Sequence, residues 1–192
     1  STVIRNLPAR TTLIGRIRKD AKLYELPTPE QQQGRGRKRI YGSELPTPEE
    51  MRKDTNVPWQ SVRAFAAGRE FDFKIKTTAP VRWRAAGERD LRLVIIQPLG
   101  YRLSKTSRLL YRSPAYLICT DKDLDLSQLL QAYLWRWEIE VNFRDQKTLL
   151  GTGQAQVRTR SAVELIPVFL AAAYAYLHLA LHRISQIGRA HV

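Results

Sequence analysis

The sequence predicts an α/β chain with a β-rich centre followed by two C-terminal helices. Three observations predict it. Residues 60–120 hold four segments rich in β-branched and aromatic residues, punctuated by Gly and Pro. Residues 126–149 carry apolar residues at helical spacing, between acidic caps and a glycine. Residues 162–183 are apolar along nearly their whole length, too long a run for a strand.

Residues 1–8 read as the end of a helix closed by Pro8, and TTLIGRIR (11–18) as a buried strand that runs out into charge. Residues 25–60 form a loop rich in Pro, Gly, Gln and Arg. The hexapeptide ELPTPE occurs twice within it, at Glu25–Glu30 and Glu44–Glu49. Two copies are too few for a solenoid and read as Pro-stiffened turns. Between them GRGRKR (Gly34–Arg39) is either a phosphate-contacting loop or an exposed linker.

The β region comprises SVRAFAAG (61–68), FDFKIKTTAPVRWR (71–84), DLRLVIIQPLGYRL (90–103) and SRLLYRSPAYLICT (107–120). Basic and apolar residues alternate in KIK and VRWR, as in a half-buried antiparallel strand or in a sheet with one face toward phosphates. Cys119, the one cysteine, excludes an internal disulfide and a cysteine zinc site; within YLICT it reads as a buried small hydrophobe. A lone thiol suits a reducing compartment, and the first residues lack the apolar core of a signal peptide, so a cytoplasmic location is expected.

For helix 126–149, Asp125 or Ser127 is the expected N-cap and Gly151 the expected stop. Leu134, Trp137 and Val141 should be buried along one arc. In the following helix, Leu165–Leu181 holds only His178 as a polar side chain, a length at the short edge for a membrane span. Glu164 and Pro167 interrupt its start, so it reads as a buried core helix rather than a membrane helix. His178 and His182 have the i,i+4 spacing of a metal pair but no third ligand nearby, and read as core or surface histidines. Residues 186–192 end in IGRAHV, which is what one frame of a common sequencing adapter encodes (ATC GGA AGA GCA CAC GTC), and are set aside from fold reasoning.

With 32 Lys and Arg against 18 Asp and Glu, the chain carries a net charge of +14, and the partner such a charge implies is nucleic acid. The sharpest local pattern is Tyr133, Arg136, Glu140 and Lys147. At about 100° per residue these four fall on one helix stripe about 60° wide. A carboxylate set between two cations and a phenol suits a metal beside a phosphodiester: Glu140 can ligate Mg2+, while Arg136 and Lys147 hold phosphate oxygens. The same residues can also form ordinary helix-face pairs, Arg136–Glu140 and Glu140–Arg144. An aromatic-rich apolar arc, a Gly-Thr-Gly break and a basic run, Arg158 and Arg160, surround the stripe and favour the functional reading; both arginines are candidate DNA contacts.

The segment YLWRWEIEVNFRDQKTLLGTGQAQVRTR resembles the C-terminal signature of DDE transposases from bacterial insertion sequences, with Tyr133, Arg136, Glu140 and Lys147 matching the Tyr-x2-Arg-x3-Glu-x6-Lys motif. GRIRKDAKLY (Gly15–Tyr24) also resembles this family. The resemblance implies an RNase H-like fold in three parts: residues 1–24 a fragment of the core, 25–120 a β-rich insertion, and 121–185 C-terminal core helices. It makes Glu140 the third carboxylate of an Asp-Asp-Glu triad holding two Mg2+ (or Mn2+) ions. It also makes Tyr133, Arg136 and Lys147 contacts to transposon-end DNA, in an enzyme that can act as a homo-oligomer with no membrane partner. In the family's order the two Asp residues would precede Ser1. Asp121, beside Asp123 and Asp125 at a strand end, is the alternative ligand, but that order makes TDKDLD a turn of capping acids. The function expected is DNA strand cleavage and transfer in the intact enzyme, or DNA binding by a remnant without chemistry.

Overall fold

The computed structural model describes residues 2–33, 36–66, 69–101, 107–108 and 110–189. The expected phosphate-contacting loop therefore lies partly outside the described residues, at Gly34 and Arg35, and so does the end of the adapter-like tail, residues 190–192. The architecture is mixed α/β: an antiparallel sheet followed by two C-terminal helices. The chain divides into two compact units, Ser1–Leu134 and Trp135–Val192.

In the first unit a short helix α1 (Thr2–Arg5) precedes β1 (Ile14–Arg16) and β2 (Leu23–Tyr24). Helix α2 (Pro48–Lys53) follows, then β3 (Gln60–Ala66), β4 (Arg69–Trp83), β5 (Leu91–Ile96), β6 (Gly100–Tyr101), β7 (Leu110–Tyr111) and β8 (Ala115–Cys119). The main sheet runs β1-β8-β5-β4-β2, with β3 also paired to β4; β6 and β7 form a separate ribbon. Every pairing between the named strands is antiparallel. Strand β1, from residues 1–24, is hydrogen-bonded along its length to β8, from the far end of the β region. Ile75 pairs with Gln60 on one side and Ile96 on the other, so β4 is an interior strand at that point. Its register with β5 shifts between Thr78 and Val81, around Pro80, which has no N–H for the ladder.

The sheet is packed on both faces. Leu91, Leu93 and Ile95 of β5 and Tyr116 and Ile118 of β8 enter one core cluster with Leu23 and Val81, flanked by Met51 and Trp59. The alternate residues, Val94, Ile96, Leu117 and Cys119, enter a second cluster with Phe73, Ile75, Leu129 and Leu130. Double burial explains why LVII and YLIC read as continuous apolar runs. Cys119 is fully buried, as expected, and burial pushes its thiol above the ordinary value. Alternation holds in β4 up to Ile75, with Lys74 exposed, and fails at Lys76, which is buried. Its ammonium donates to the carbonyls of Met51 and Arg52, both at 3.2 Å, and of Asp54, and lies 4.8 Å from the Trp59 ring centroid. It caps the C-terminus of α2, where a cation meets the negative end of the helix.

Each copy of the ELPTPE repeat starts a helical turn. Thr47 accepts from the Glu50 amide while Glu50 accepts from the Thr47 amide, a capping box that opens α2. Thr28 and Gln31 make the same reciprocal pair, at 3.4 and 3.3 Å, ahead of a single 3-10 turn. The second copy propagates because its helix is docked: Glu49 pairs with Arg52 at 2.7 Å and accepts from the Tyr116 hydroxyl, while Met51 packs on the first core cluster. Arg52 and then Tyr116 hold the Glu49 carboxyl well below the usual range. Burial, then Glu49, pushes the Tyr116 phenol up to about 12.

Helix α3 (Leu126–Leu149) spans the expected residues, and α4 is Arg160–Arg189. The expectation that α4 is a buried core helix is not met. Its Leu165, Val168, Phe169 and Leu179 are between 63% and 70% exposed, and Tyr174 is its one buried residue whose side chain is described. The physical reason is geometric. Among the described residues of its own unit the one other helix is the second part of α3, too little surface to cover so long an apolar segment. Residues Arg160–Arg183 are also long and apolar enough to cross a membrane, with a mean hydropathy of 1.6 over the best window. One such helix does not make the chain a membrane protein.

Candidate nucleic-acid interface on the long helix

Helix α3 begins at Asp125, whose carboxylate accepts from the Ser127 and Gln128 amides at 2.9 and 3.1 Å. The Ser127 hydroxyl and these amides hold its carboxyl below the ordinary value. Asp121 accepts from the Asp123 amide at 3.0 Å, so TDKDLD is the turn of capping acids that its sequence suggests. Leu129 and Leu130 anchor the first part of the helix in the second core cluster. Gln131 pairs its amide with both backbone groups of Phe65, at 2.8 and 3.0 Å, extending the hydrogen bonding of the β3 edge. These contacts fix the rotation of this part of α3 about its axis. Gly151, at φ 64°, ends the helix in the left-handed conformation that favours glycine, and Thr152 donates back to the Gln146 carbonyl at 3.1 Å.

Tyr133 belongs to the first unit and is half-buried against its core. Arg136, Glu140 and Lys147 belong to the second and are exposed. Arg136 and Glu140 meet at 3.6 Å with side chains 56% and 50% exposed. The Glu140–Arg144 pair does not form, because Arg144 turns to Asp145 at 3.0 Å. Lys147 has no ion pair among the described residues. Arg158 is exposed and Arg160 is tied to Glu164 at 3.0 Å.

The predicted apolar arc is only partly covered. Leu134 and Val141 are half-buried, but Trp137 is 58% exposed, contrary to expectation. The core cluster that covers α3 reaches no further than Leu134. In the second unit the hydrogen bond from α4 to α3 runs from the Tyr174 hydroxyl to Asp145, at 3.3 Å, beyond Trp137. Burial and the Asp145 carboxylate push the Tyr174 phenol up.

As a metal ligand Glu140 offers one accessible carboxylate, which fits one position of an oxygen-coordinated Mg2+ whose other positions hold water or phosphate. Among the described residues no three His, Cys, Asp or Glu side chains are grouped so that they could hold a metal ion, His178 and His182 included. His178 instead meets the Tyr174 ring edge-on at 4.4 Å. Among the described residues, depressions also lie away from α3, two of them in the first unit. One, about 480 Å³, brings Arg10 and Arg89 near Asp90, Asp121 and Asp123. The other, about 670 Å³, is lined by Arg16, Ile17, Arg18, Asp20, Ala21 and Trp83. Sequence reasoning passed over the second, though GRIR and VRWR each place arginine beside a large apolar residue. Compared with protein-family models, curated proteins and solved structures, the chain matches none.

Proposed function

We propose that the chain is part of an insertion-sequence DDE transposase with an RNase H-like core, and that α3 carries its DNA-facing carboxylate. One observation carries this reading: α3 runs unbroken through the signature and leaves Arg136, Glu140 and Lys147 exposed. A carboxylate flanked by two exposed cations can hold a metal at a phosphodiester while the cations hold the flanking phosphates. The packing of Ile14 of β1 into the same cluster as Leu129 and Leu130 is further support, because the reading calls for this helix to lie on that strand. Tyr133, Arg158 and Arg160 would add contacts to the transposon end, and residues 25–120 would be the insertion.

In this reading Glu140 would be one carboxylate ligand to Mg2+ or Mn2+, and such ions, when bound in the intact enzyme, would supply activation of water or a 3′-hydroxyl for attack on a phosphodiester. Arg136 and Lys147 hold and orient the strand. The enzyme would act on DNA in the cytoplasm, with a second copy as a possible partner. A second reading, a DNA-binding remnant without chemistry, draws on the lack of a converging carboxylate group among the described residues.

Strand cleavage separates the two. The chain, fused to the coding sequence upstream of Ser1, should nick transposon-end DNA in Mg2+, and Glu140→Gln should abolish nicking while Glu138→Gln does not. Equal activity in both variants would remove Glu140 from the site. No cleavage by the fused protein would leave the remnant.

A further inference from the structure

The depression beside Trp83 has the parts of a base-stacking site, and none belongs to α3. Its floor is apolar and fixed. Ile17 and Trp83 are both half-buried against the first core cluster, so each ring or methyl face turned outward is held from behind. Trp83 sits at the end of β4, paired with Leu23 of β2, and Arg16 is the last residue of β1, an edge strand. Arg16 is exposed and has no ion pair among the described residues. Arg18 is held to Asp20 by two hydrogen bonds, 2.9 and 2.8 Å, through Nε and Nη2, which orient its guanidinium and leave Nη1 with no hydrogen bond among the described residues. At about 670 Å³ the depression falls within the size of ligand sites, about 300–1,000 Å³.

A half-buried indole packed on a core beside two arginines is an arrangement that can hold an unstacked base by its face and the adjoining phosphates by charge. One carboxylate, Asp20, sits among them, but Arg18 already neutralises it. We propose that Arg16, Arg18 and Trp83 form a binding groove for single-stranded nucleic acid, with one base stacked on Trp83 and its phosphates on Arg16 and Arg18. This rests on the nucleic-acid reading only in the class of ligand; it requires neither Glu140 nor a metal.

The test uses the 192-residue chain and fluorescence anisotropy of labelled oligothymidylate, (dT)20, with thymidine monophosphate and inorganic polyphosphate as competitors. Trp83→Ala should weaken (dT)20 binding about tenfold, the loss of one base stack. Trp83→Phe, which keeps a ring and packs on the same core, should cost less than about threefold and remove part of the tryptophan quenching. Arg16→Ala should weaken both (dT)20 and polyphosphate and lower the salt slope by about 0.7, one phosphate on a single strand. Polyphosphate affinity should not change in Trp83→Ala. Equal losses for polyphosphate and (dT)20 in Trp83→Ala would overturn the stacking site, and so would Trp83→Phe weakening (dT)20 as much as Trp83→Ala. Thymidine monophosphate competing as well as (dT)20 would overturn the strand as ligand. Arg136→Ala and Lys147→Ala run alongside. Losses there with silent groove variants sink the groove alone, and losses only in the groove variants sink the α3 reading alone.

Discussion

The two compact units obey different rules. In residues 1–134 the alternate residues of β5 and β8 are inside, with Leu91, Leu93 and Leu117 fully buried on a sheet covered on both faces. Strand β1, expected as a buried strand, is only half-buried at Ile14 and Gly15 because it lies at the sheet edge. In residues 135–192 the most apolar segment of the chain is exposed, with Phe169 at 70% and Leu179 at 63%. The difference shows what an apolar pattern encodes. It states a demand for cover, and the demand is met only where the same unit supplies a second surface. The sheet has a core cluster on each face, while α4 has beside it only the second part of α3 among the described residues of its unit.

Substitutions measured by urea denaturation would break or sharpen this contrast. Leu93→Ala and Leu117→Ala should each cost about 3 kcal/mol, the scale for emptying a packed leucine site. Leu179→Ala and Phe169→Ala should stay within about 0.5 kcal/mol, as exposed positions do. Equal losses in the two units would mean that α4 is covered in solution. The next effect is Glu49→Gln, at about 2 kcal/mol, because it removes charged hydrogen bonds to Arg52 and Tyr116.

The same network sets the pH limits of the first unit. The folded carboxyl of Glu49 lies below its ordinary 4.5, so its stabilisation is present above that pH and is lost as pH falls below it. Tyr116 is raised from 10.0 to about 12, so the fold keeps a proton that the unfolded chain releases, and stability falls as pH rises between those values. Melting temperature against pH should decline at both ends in the wild type, and both declines should shrink in Glu49→Gln. Smaller still is the cap comparison. Thr47→Ala should cost about 1 kcal/mol and Thr28→Ala clearly less, since only the Thr47 box leads a docked helix. Equal costs would show that both copies of the repeat are cooperative with the core.

Much of this was legible beforehand, because it depends on local chemistry. The β segments, the bounds of α3, the Asp125 cap and the Gly151 stop follow from residues a few positions apart. Elements held by distant partners were not legible. Lys76 reads as an outward strand residue until α2 presents its carbonyls. Trp137 reads as core because its arc is apolar, yet the covering cluster stops at Leu134. The repeat reads as two equal turns, and distant contacts, Tyr116 to Glu49 across 67 residues and Met51 on the first core cluster, dock only the second as a helix. At the candidate site helix geometry placed Tyr133, Arg136, Glu140 and Lys147 on one stripe, but not that Tyr133 is half-buried while the other three are exposed, nor that Arg144 chooses Asp145 over Glu140.

The central proposal concerns the exposed stripe: that Glu140, paired with Arg136 at 3.6 Å, serves as a metal carboxylate facing DNA and not merely as half of a surface ion pair. Affinity for duplex DNA, measured by anisotropy with and without Mg2+ at constant ionic strength, tests it. Without metal, Glu140→Gln should bind about twofold to fivefold tighter than wild type, because it removes a negative charge from the phosphate path and frees Arg136. With Mg2+ the advantage should vanish, since only the wild type gains an ion at the interface. Arg136→Ala and Lys147→Ala should weaken binding at least about threefold more than Lys74→Ala, an exposed lysine on β4. Equal losses for all three cations, together with a Glu140→Gln difference that Mg2+ leaves unchanged, would contradict the account and leave the stripe an ordinary charged helix face.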